Sequence, residues 1–383
     1  MKAVSDSASP GFDLAAALAW IRTDIGATAD TYDAAQQLPE PALAGFRRHG
    51  LFGAAVPAAY GGTGLSPGAV GALCEALGWA SGSALSLFTV HGMVCTAVAR
   101  WGTSAQREHW LPALASGARV GALAVSEPEV GSDVGAVATR FERRGADIVV
   151  DGVKTWTSFG QIADGFLVAG MLDGELSTLL VPRDAPGFAI EPIGGMFGFR
   201  AGMLAQLEFR ECAVPATGLL GRPGFGLAQI VGSVLDHGRY CIAWGAAGLA
   251  RACLEASLDY AGRRIQHGVP LAEHALVQAL LADMLVETRA ARLLCEEAAQ
   301  ARTQPGPDMI VRTSAAKYYA ARSADRAAAA ALQIHGAHGL SEGSCVQRYL
   351  RDAKVFNIIE GSTQIQQMLL GRLGAQWVGQ WTL

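Results

Sequence analysis

The hydrophobic pattern of this chain changes period twice. From about Phe12 to Ser116, apolar residues recur every three or four positions in "LAAALAWIRTDI", "PALAGFRRHGLF" and "GAVGALCEALGWA", the mark of helices with one buried face. From about Arg119 to Gly218, short runs such as "VGALAVS", "DIVVDG", "GFLVAG", "STLLVP" and "AQLEFRE" are separated by turn signals, which is strand spacing. After Gly226 the helical period returns, clearest over Glu273 to Ala301 and Val311 to His335, and long helices with short connections predict an antiparallel bundle. A compact β unit therefore separates two helical ones. This order excludes an alternating βαβ fold more firmly than any single motif does.

Within the first helical unit, "YGGTGLSPG" (Tyr60 to Gly68) is a loop of turn formers, and "SALSLFTVHGMVCTAVARWG" is apolar nearly all round, hence a buried helix. At 383 residues the chain exceeds one ordinary core. Its 51% hydrophobic and 17% charged residues leave apolar surface to cover, which predicts extensive interfaces between subunits. A net charge of −4 with no basic stripe argues against nucleic acid as partner. The seven cysteines are scattered and form no C-x-x-C, so they read as small buried hydrophobes in a reducing compartment. "MKAVSDSASPGFDL" lacks the apolar centre of a leader, and no long uninterrupted apolar run suggests a membrane partner, so a cytoplasmic location is expected.

Most candidate motifs dissolve on inspection. "GFGLAQ" (Gly224 to Gln229) opens like a dinucleotide loop but lacks the third glycine, a preceding strand and a surrounding βαβ unit; it reads as a helix start. His335 and His338 have no nearby Cys or carboxylate to complete a metal set, so no metal is expected, and no serine sits in a G-x-S-x-G elbow. Two strand ends are more informative. "SEPEVGSD" (Ser126 to Asp133) offers hydroxyls and glycine amides, and "DGVKTWTSFG" (Asp151 to Gly160) offers an indole. Together they can grip a flat, polar-edged ring, by stacking on Trp156 and hydrogen bonds from Ser126 and Ser158.

One residue sits badly with its neighbours. In "NIIEGSTQIQ" (Asn357 to Gln366), Glu360 follows two isoleucines in what reads as the wall of an apolar cavity. Burying an unpaired carboxylate is costly and raises its pKa instead.

"SEPEVGSD", "DGVKTWTSFG", "YAGRRIQHGVPL", "LQIHGAHG" and "RDAKVFNIIEGSTQIQ" together resemble, in order and spacing, the acyl-CoA dehydrogenase family, over about Leu38 to Leu373. The resemblance implies an α+β fold with an N-terminal α-helical domain over 1–118, a central β-barrel-like domain over 119–222 and a C-terminal four-helix bundle over 223–383. It implies FAD between these domains, and Glu360 as the base that removes the α-proton of an acyl thioester. The β-hydrogen then leaves as hydride to the flavin, and an apolar cavity makes the base stronger. The Glu360 amide and a ribityl hydroxyl would hold the thioester oxygen. A few relatives place their base one residue before the arginine of an Asp-x-x-Arg segment; in "DHGR" that residue is Gly238, so Glu360 has no rival.

The resemblance further assigns Val125, Ser126, Gly131, Ser132, Trp156 and Ser158 to FAD, followed by Ser362 and Gln364. Arg264, His274, Gln333 and Gly336 would reach FAD of a neighbouring subunit, which fits an arginine fork on a diphosphate. Asp236, Arg239 and Ser132 would hold the acyl-pantetheine arm. Arg351 and Asp352 read as a structural pair. The implied partners are an acyl thioester on CoA or a carrier protein, an electron acceptor such as an electron-transfer flavoprotein, and further copies of the chain in a homotetramer or homodimer.

Two positions depart from the family pattern: His267 stands for the phenylalanine of R-x-x-F-G, and Ala337 follows Gly336 in place of a second glycine. "GRYCIAWGAAGLARAC" is most similar to the glutaryl-CoA dehydrogenases and to dehydrogenases acting on carrier-bound acyl units in polyketide pathways. No arginine lies between Ser81 and His91, where Leu85 aligns with the carboxylate-binding residue of the glutaryl group, so a dicarboxylic substrate is disfavoured. A short acyl chain is expected. The rival readings are an oxygen-using acyl oxidase or monooxygenase of the same fold, and an idle binding homologue.

Overall fold

The computed structural model describes residues 12–378; the segment 1–11, which carries most of the stretch read for a leader, lies outside them. The first unit contains α1 (Leu14–Trp20), α2 (Gly26–Ala35), α3 (Glu40–Arg48), α4 (Pro67–Ala80), α5 (Gly82–Trp101) and α6 (Ser104–Ser116). Local chemistry sets their starts. Ser66 accepts from the Ala69 amide ahead of Pro67, and Thr103 and Gln106 form a reciprocal capping box. By length and hydropathy α5 could cross a membrane, but 89% of its apolar window is buried inside the chain.

The strands are β1 (Gly121–Ala124), β2 (Arg140–Arg144), β3 (Asp147–Thr157), β4 (Gly165–Leu172), β5 (Glu175–Pro182), β6 (Phe188–Pro192), β7 (Ala205–Pro215) and β8 (Leu219–Leu220). They make one sheet in the order β6-β7-β3-β2-β4-β5-β8, and β1 also pairs with β4. Both β1 and β2 run parallel to β4, β1 against its first half (Gly121 opposite Gly165) and β2 against its end (Arg140 opposite Met171). The sheet thus forks between β1 and β2, and the "SEPEVGSD" loop leaves from the fork. Alternating residues of the strands, among them Phe141, Ile148, Val150, Phe166, Val168 and Phe209, form the sheet's own core.

The last unit holds α7 (Gly232–Arg263), the hairpin strands β9 (Ile265–Gln266) and β10 (Val269–Pro270), α8 (Ala275–Thr303), α9 (Met309–His335), α10 (Cys345–Phe356) and α11 (Thr363–Val378). "GFGLAQ" starts a π-helical turn that runs into α7, as a helix start and not a nucleotide loop. The first and last units share one hydrophobic cluster, from Trp20 and Phe46 to Tyr349 and Phe356. Glycines make the join close: a Cβ on Gly78 of α4 would lie 2.1 Å from the Gly245 carbonyl oxygen of α7. Gly78 must therefore be bare, and so must Gly248 of α7, where a Cβ would lie 2.0 Å from the Glu75 carbonyl oxygen of α4.

Arg351 and Asp352 are structural, but they do not pair with each other. Arg351 grips Asp33 with two nitrogens, at 3.1 and 2.6 Å, whereas Asp352 accepts from the Phe199 amide at 2.8 Å. Neighbouring residues on a helix point about 100° apart, so the two side chains look to different elements.

Candidate active site

Glu360 lies in the turn between α10 and α11 with φ +56°, and Gly361 follows at +81°. The left-handed backbone is uncomfortable for a glutamate and needs support from its surroundings. Three long side chains supply it. Arg239 donates from Nε to the Glu360 carbonyl at 3.2 Å. Lys317, fully buried on α9, donates to the Gly361 carbonyl at 2.7 Å. Gln366 Nε2 reaches both carbonyls at 3.2 Å. The Glu360 N–H has no partner among the described residues.

The side chain of Glu360 is treated differently from its backbone. The residue as a whole is half-buried, yet Oε2 is sealed from solvent and accepts no hydrogen bond. It lies directly over Gly238 of α7, where a Cβ would fall 2.2 Å from Oε2 and 2.5 Å from Cδ. Burial pushes the carboxyl up to about 7; Arg239 and Lys317 pull it partly back. Burial in turn lowers the Lys317 ammonium to about 8. An unsolvated carboxylate that titrates near neutrality is equipped to take a proton.

The two strand-end loops meet. The Thr155 amide donates to the Ser126 carbonyl at 2.9 Å, and Lys154 Nζ donates to the Val125 carbonyl at 2.9 Å. Behind them a buried ion pair ties the loops together. Glu127 accepts from Lys154 at 2.7 Å, from the Ala138 and Thr139 amides and from the Thr139 hydroxyl. These bonds hold its carboxyl below the usual range despite burial. On this base Gly131 and Ser132 are exposed, Ser158 is half-buried, and Trp156 presents an indole that is 55% exposed, with φ +58°. A large apolar ring held in solvent by a strained backbone is a surface waiting for a partner.

A second group gathers at the far ends of α7 and α9. Arg264 caps α7 and its guanidinium has no partner among the described residues. His274 Nε2 bonds the Gln266 carbonyl at 3.2 Å, and His267 packs edge-on against His274. Gln333 is exposed, and Gly336 (φ +56°) ends α9. Tyr260 stacks on both His335 and His338. Among the described residues no group of three or more His, Cys, Asp and Glu could hold a metal ion. Among the described residues, no hydrogen bond, ion pair or ring contact joins this second group to Ser126 or Trp156.

The remaining predicted residues have local partners. Asp236 pairs with Arg302 at 2.5 Å and leaves Oδ1 buried without a partner. Arg239 commits Nε to the Glu360 carbonyl. Ser362 accepts from the Ile365 amide at the start of α11, and Gln364 is exposed. Sequence reasoning missed Lys317, Gln366 and the Glu127–Lys154 pair. Lys317 did carry a signal: it falls on the Ala-rich stripe of "TSAAKYYAARSA" that α9 buries, where a lysine needs a reason.

Three domain families match the chain: the acyl-CoA dehydrogenase N-terminal domain over residues 14–118, the middle domain over 122–212 and the C-terminal domain over 224–374. A probable acyl-CoA dehydrogenase of Bacillus subtilis, YngJ, is 34% identical over 92% of this chain and 94% of its own. The structure of FkbI, for biosynthesis of the methoxymalonyl extender unit of the polyketide Fk520, is 34% identical at a TM-score of 0.87, covering 94% of this chain and 99% of that one. A glutaryl-CoA dehydrogenase of Mycobacterium smegmatis in complex with FADH2 is 26% identical at a TM-score of 0.89, covering 95% and 93%. All three units, in order and over nearly their full length, place this chain in the acyl-CoA dehydrogenase family of oxidoreductases, with FAD as its cofactor.

Proposed function

We propose that the protein dehydrogenates a short acyl thioester between its α and β carbons, with Glu360 as the base. The observation that carries this reading is the Glu360 carboxylate above Gly238, with Oε2 sealed from solvent and unpartnered. Glu360 takes the α-proton, and its free N–H is the donor for the thioester oxygen as negative charge develops there. Arg239, Lys317 and Gln366 hold the turn so that the carboxylate, and not the backbone, faces the reacting carbons. FAD, when bound, would supply the acceptor for the β-hydrogen.

The residues present fit FAD in kind. The exposed Trp156 indole beside Ser126 suits a flat ring, with Val125, Gly131, Ser132 and Ser158 around it. The unpaired Arg264 fork suits a diphosphate, and His274, Gln333 and Gly336 share its end of the bundle. Ser362 and Gln364 complete the set. Leu276 (83% exposed), Val286 and Leu293 leave an apolar stripe on α8 that supports assembly with further copies, a homotetramer or homodimer. Ser132 and the free Oδ1 of Asp236 are assigned to the acyl-pantetheine arm, with Arg239 acting behind them through the base turn. An electron-transfer flavoprotein is a suitable acceptor, and the cytoplasm a suitable compartment.

The similarity to the prolyl acyl carrier protein oxidase AnaB, 25% identical at a TM-score of 0.89, favours an acyl group delivered on a carrier protein. The test is anaerobic bleaching of the bound flavin by one acyl group on CoA, on pantetheine and on a carrier protein, with wild type and Glu360→Gln. Loss of at least about a hundredfold in Glu360→Gln is expected, the range for a missing general base. Undiminished bleaching by that variant removes Glu360 from the role, and a higher kcat/KM for the CoA ester removes the carrier.

A further inference from the structure

The loop from β6 to β7, residues 193–204, leaves the sheet and packs into the helical core. Phe199, Ala201 and Met203 belong to the hydrophobic cluster of the first and last units, as does Phe159 just past β3. The loop is gripped from α10. Asp352 Oδ1 accepts from the Phe199 amide at 2.8 Å, Arg351 donates to the Phe197 carbonyl at 3.0 Å, and the Phe199 ring stands edge-on to Phe356 with centroids 5.2 Å apart. A Cβ on Gly198 would lie 2.3 Å from the Arg351 carbonyl oxygen, so the loop runs hard against the helix. Phe199 (φ +50°) and Met203 (φ +45°) are held in the left-handed region, which persists only where the surroundings over-determine it. The other side of the loop holds the end of β3. The Phe159 amide donates to the Gly202 carbonyl at 2.8 Å, the Gln161 amide to the Met203 carbonyl at 3.3 Å, and Gln161 Nε2 to the Leu204 carbonyl at 2.8 Å.

Phe159 closely follows Trp156, and Phe356 closely precedes Glu360, so one short loop joins the strand end assigned to the flavin to the helix that leads into the base. Asp352 is an expensive anchor for it. Burial pushes its carboxyl up to about 6, and Arg348 stands 3.9 Å away. A buried charge is costly to keep, and the Phe199 amide is the hydrogen-bond donor it meets. We infer that Asp352 is a positioning residue for the dehydrogenation: through Phe199 it fixes the separation between the Glu360 turn and the Trp156 strand end. This rests on the dehydrogenase reading above and adds to it a residue that touches neither substrate nor cofactor. Proton and hydride leave adjacent carbons of one chain, and each needs its acceptor within about 3–3.5 Å. An error in the separation of the two acceptors cannot be absorbed by moving the substrate, since a shift toward one is a shift away from the other.

The test has two arms on the FAD-loaded protein. Amide hydrogen exchange reads the coupling: Asp352→Ala should speed exchange over residues 159–161 by at least about tenfold, while Asp352→Asn, which keeps an acceptor, should stay within about threefold of wild type. Two thioesters of pantetheine read the chemistry. Acetyl has α-hydrogens but no β-carbon, so their replacement by solvent deuterium reports the base alone, whereas anaerobic bleaching of the flavin by butyryl needs base and flavin in register. In Asp352→Ala, at equal FAD content, deuterium uptake should stay within about threefold and bleaching should fall at least about tenfold, with Asp352→Asn restoring most of it. A merely structural role lowers both rates together or neither; either result overturns the inference, as does unchanged amide exchange over 159–161. Should Asp352→Ala not fold, Phe199→Leu, which removes the ring from Phe356 and keeps the amide, should show the same split, and its absence overturns the inference. A wild type that bleaches with butyryl but exchanges nothing from acetyl overturns the inference alone. Absence of both reactions in wild type overturns the dehydrogenase reading and the inference with it.

Discussion

Gly238→Ala separates the stability of this protein from its chemistry. In an α-helix, alanine is favoured over glycine by up to about 1 kcal/mol, so the substitution on its own should not lower the melting temperature. The new methyl carbon, however, falls 2.2 Å from Glu360 Oε2 and 3.1 Å from Oε1, where ordinary contact begins at 3.4 Å. The obstacle is the end of a flexible side chain, so α7 stays and the carboxylate yields by about 1 Å or more. A misplacement of that size at a reacting group costs on the order of a hundredfold. The assay is stopped-flow bleaching of the flavin under anaerobic conditions, beside a melting curve and a measure of FAD content. The expected pattern is full FAD, an equal or higher Tm and a hundredfold slower reduction. Reduction within about twofold of wild type refutes the claim that Gly238 makes the space in which the base works, since an overlap this deep cannot leave the carboxylate in place.

Four further outcomes follow from the same geometry. The rate of flavin reduction should rise about tenfold per pH unit below neutrality and level off above about 7, because burial keeps the proton on Glu360 until then and the protonated acid cannot accept another; a midpoint near the ordinary carboxylate value contradicts this. Lys317→Met removes a cation that lowers the Glu360 pKa, so the midpoint should move to higher pH while the freed turn slows reduction at every pH; an unmoved profile contradicts it. Lys154→Met strands the Glu127 carboxylate among its remaining hydrogen bonds, and a loss of about 3 kcal/mol in denaturant unfolding is expected, with lower FAD content; a change within about 0.5 kcal/mol speaks against the pair as the tie between the two loops. Arg264→Ala should weaken FAD binding and loosen the oligomer, read by flavin retention and light scattering; a fully FAD-loaded monomer contradicts the subunit-crossing role.

Helices were more legible in the sequence than their arrangement. The periodic stretches Glu273 to Ala301 and Val311 to His335 correspond to α8 (Ala275–Thr303) and α9 (Met309–His335), since their faces are set by a repeat of 3.6. Strand existence was legible for the same local reason. The fork of the sheet, with β1 and β2 sharing one edge of β4, was not, because parallel pairing is a contact between segments far apart in sequence and leaves no local mark. The merging of the first and last helical units into one core was hidden likewise. Its cause, the bare positions Gly78 on α4 and Gly248 on α7, each set against the backbone of the facing helix, is visible only when both helices are in place.

The site follows the same division. Glu360 could be singled out because a charge between isoleucines and a Gly-Ser pair is a local contradiction, and the Trp156 and Ser126 loops because turn residues at strand ends are local too. What makes Glu360 a base is non-local: Lys317 and Gln366 on two other helices, and the space over Gly238. In the sequence Gly238 reads as an absence, the lack of a second base at the helical position some relatives use. In the structure it is a requirement. A side chain at 238 and the Glu360 carboxylate claim the same volume, 2.2 Å apart, so the chain can carry its base on the helix or on the turn but not on both. The empty position on α7 and the strained glutamate on the α10–α11 turn are therefore a single feature, and neither residue alone accounts for the other.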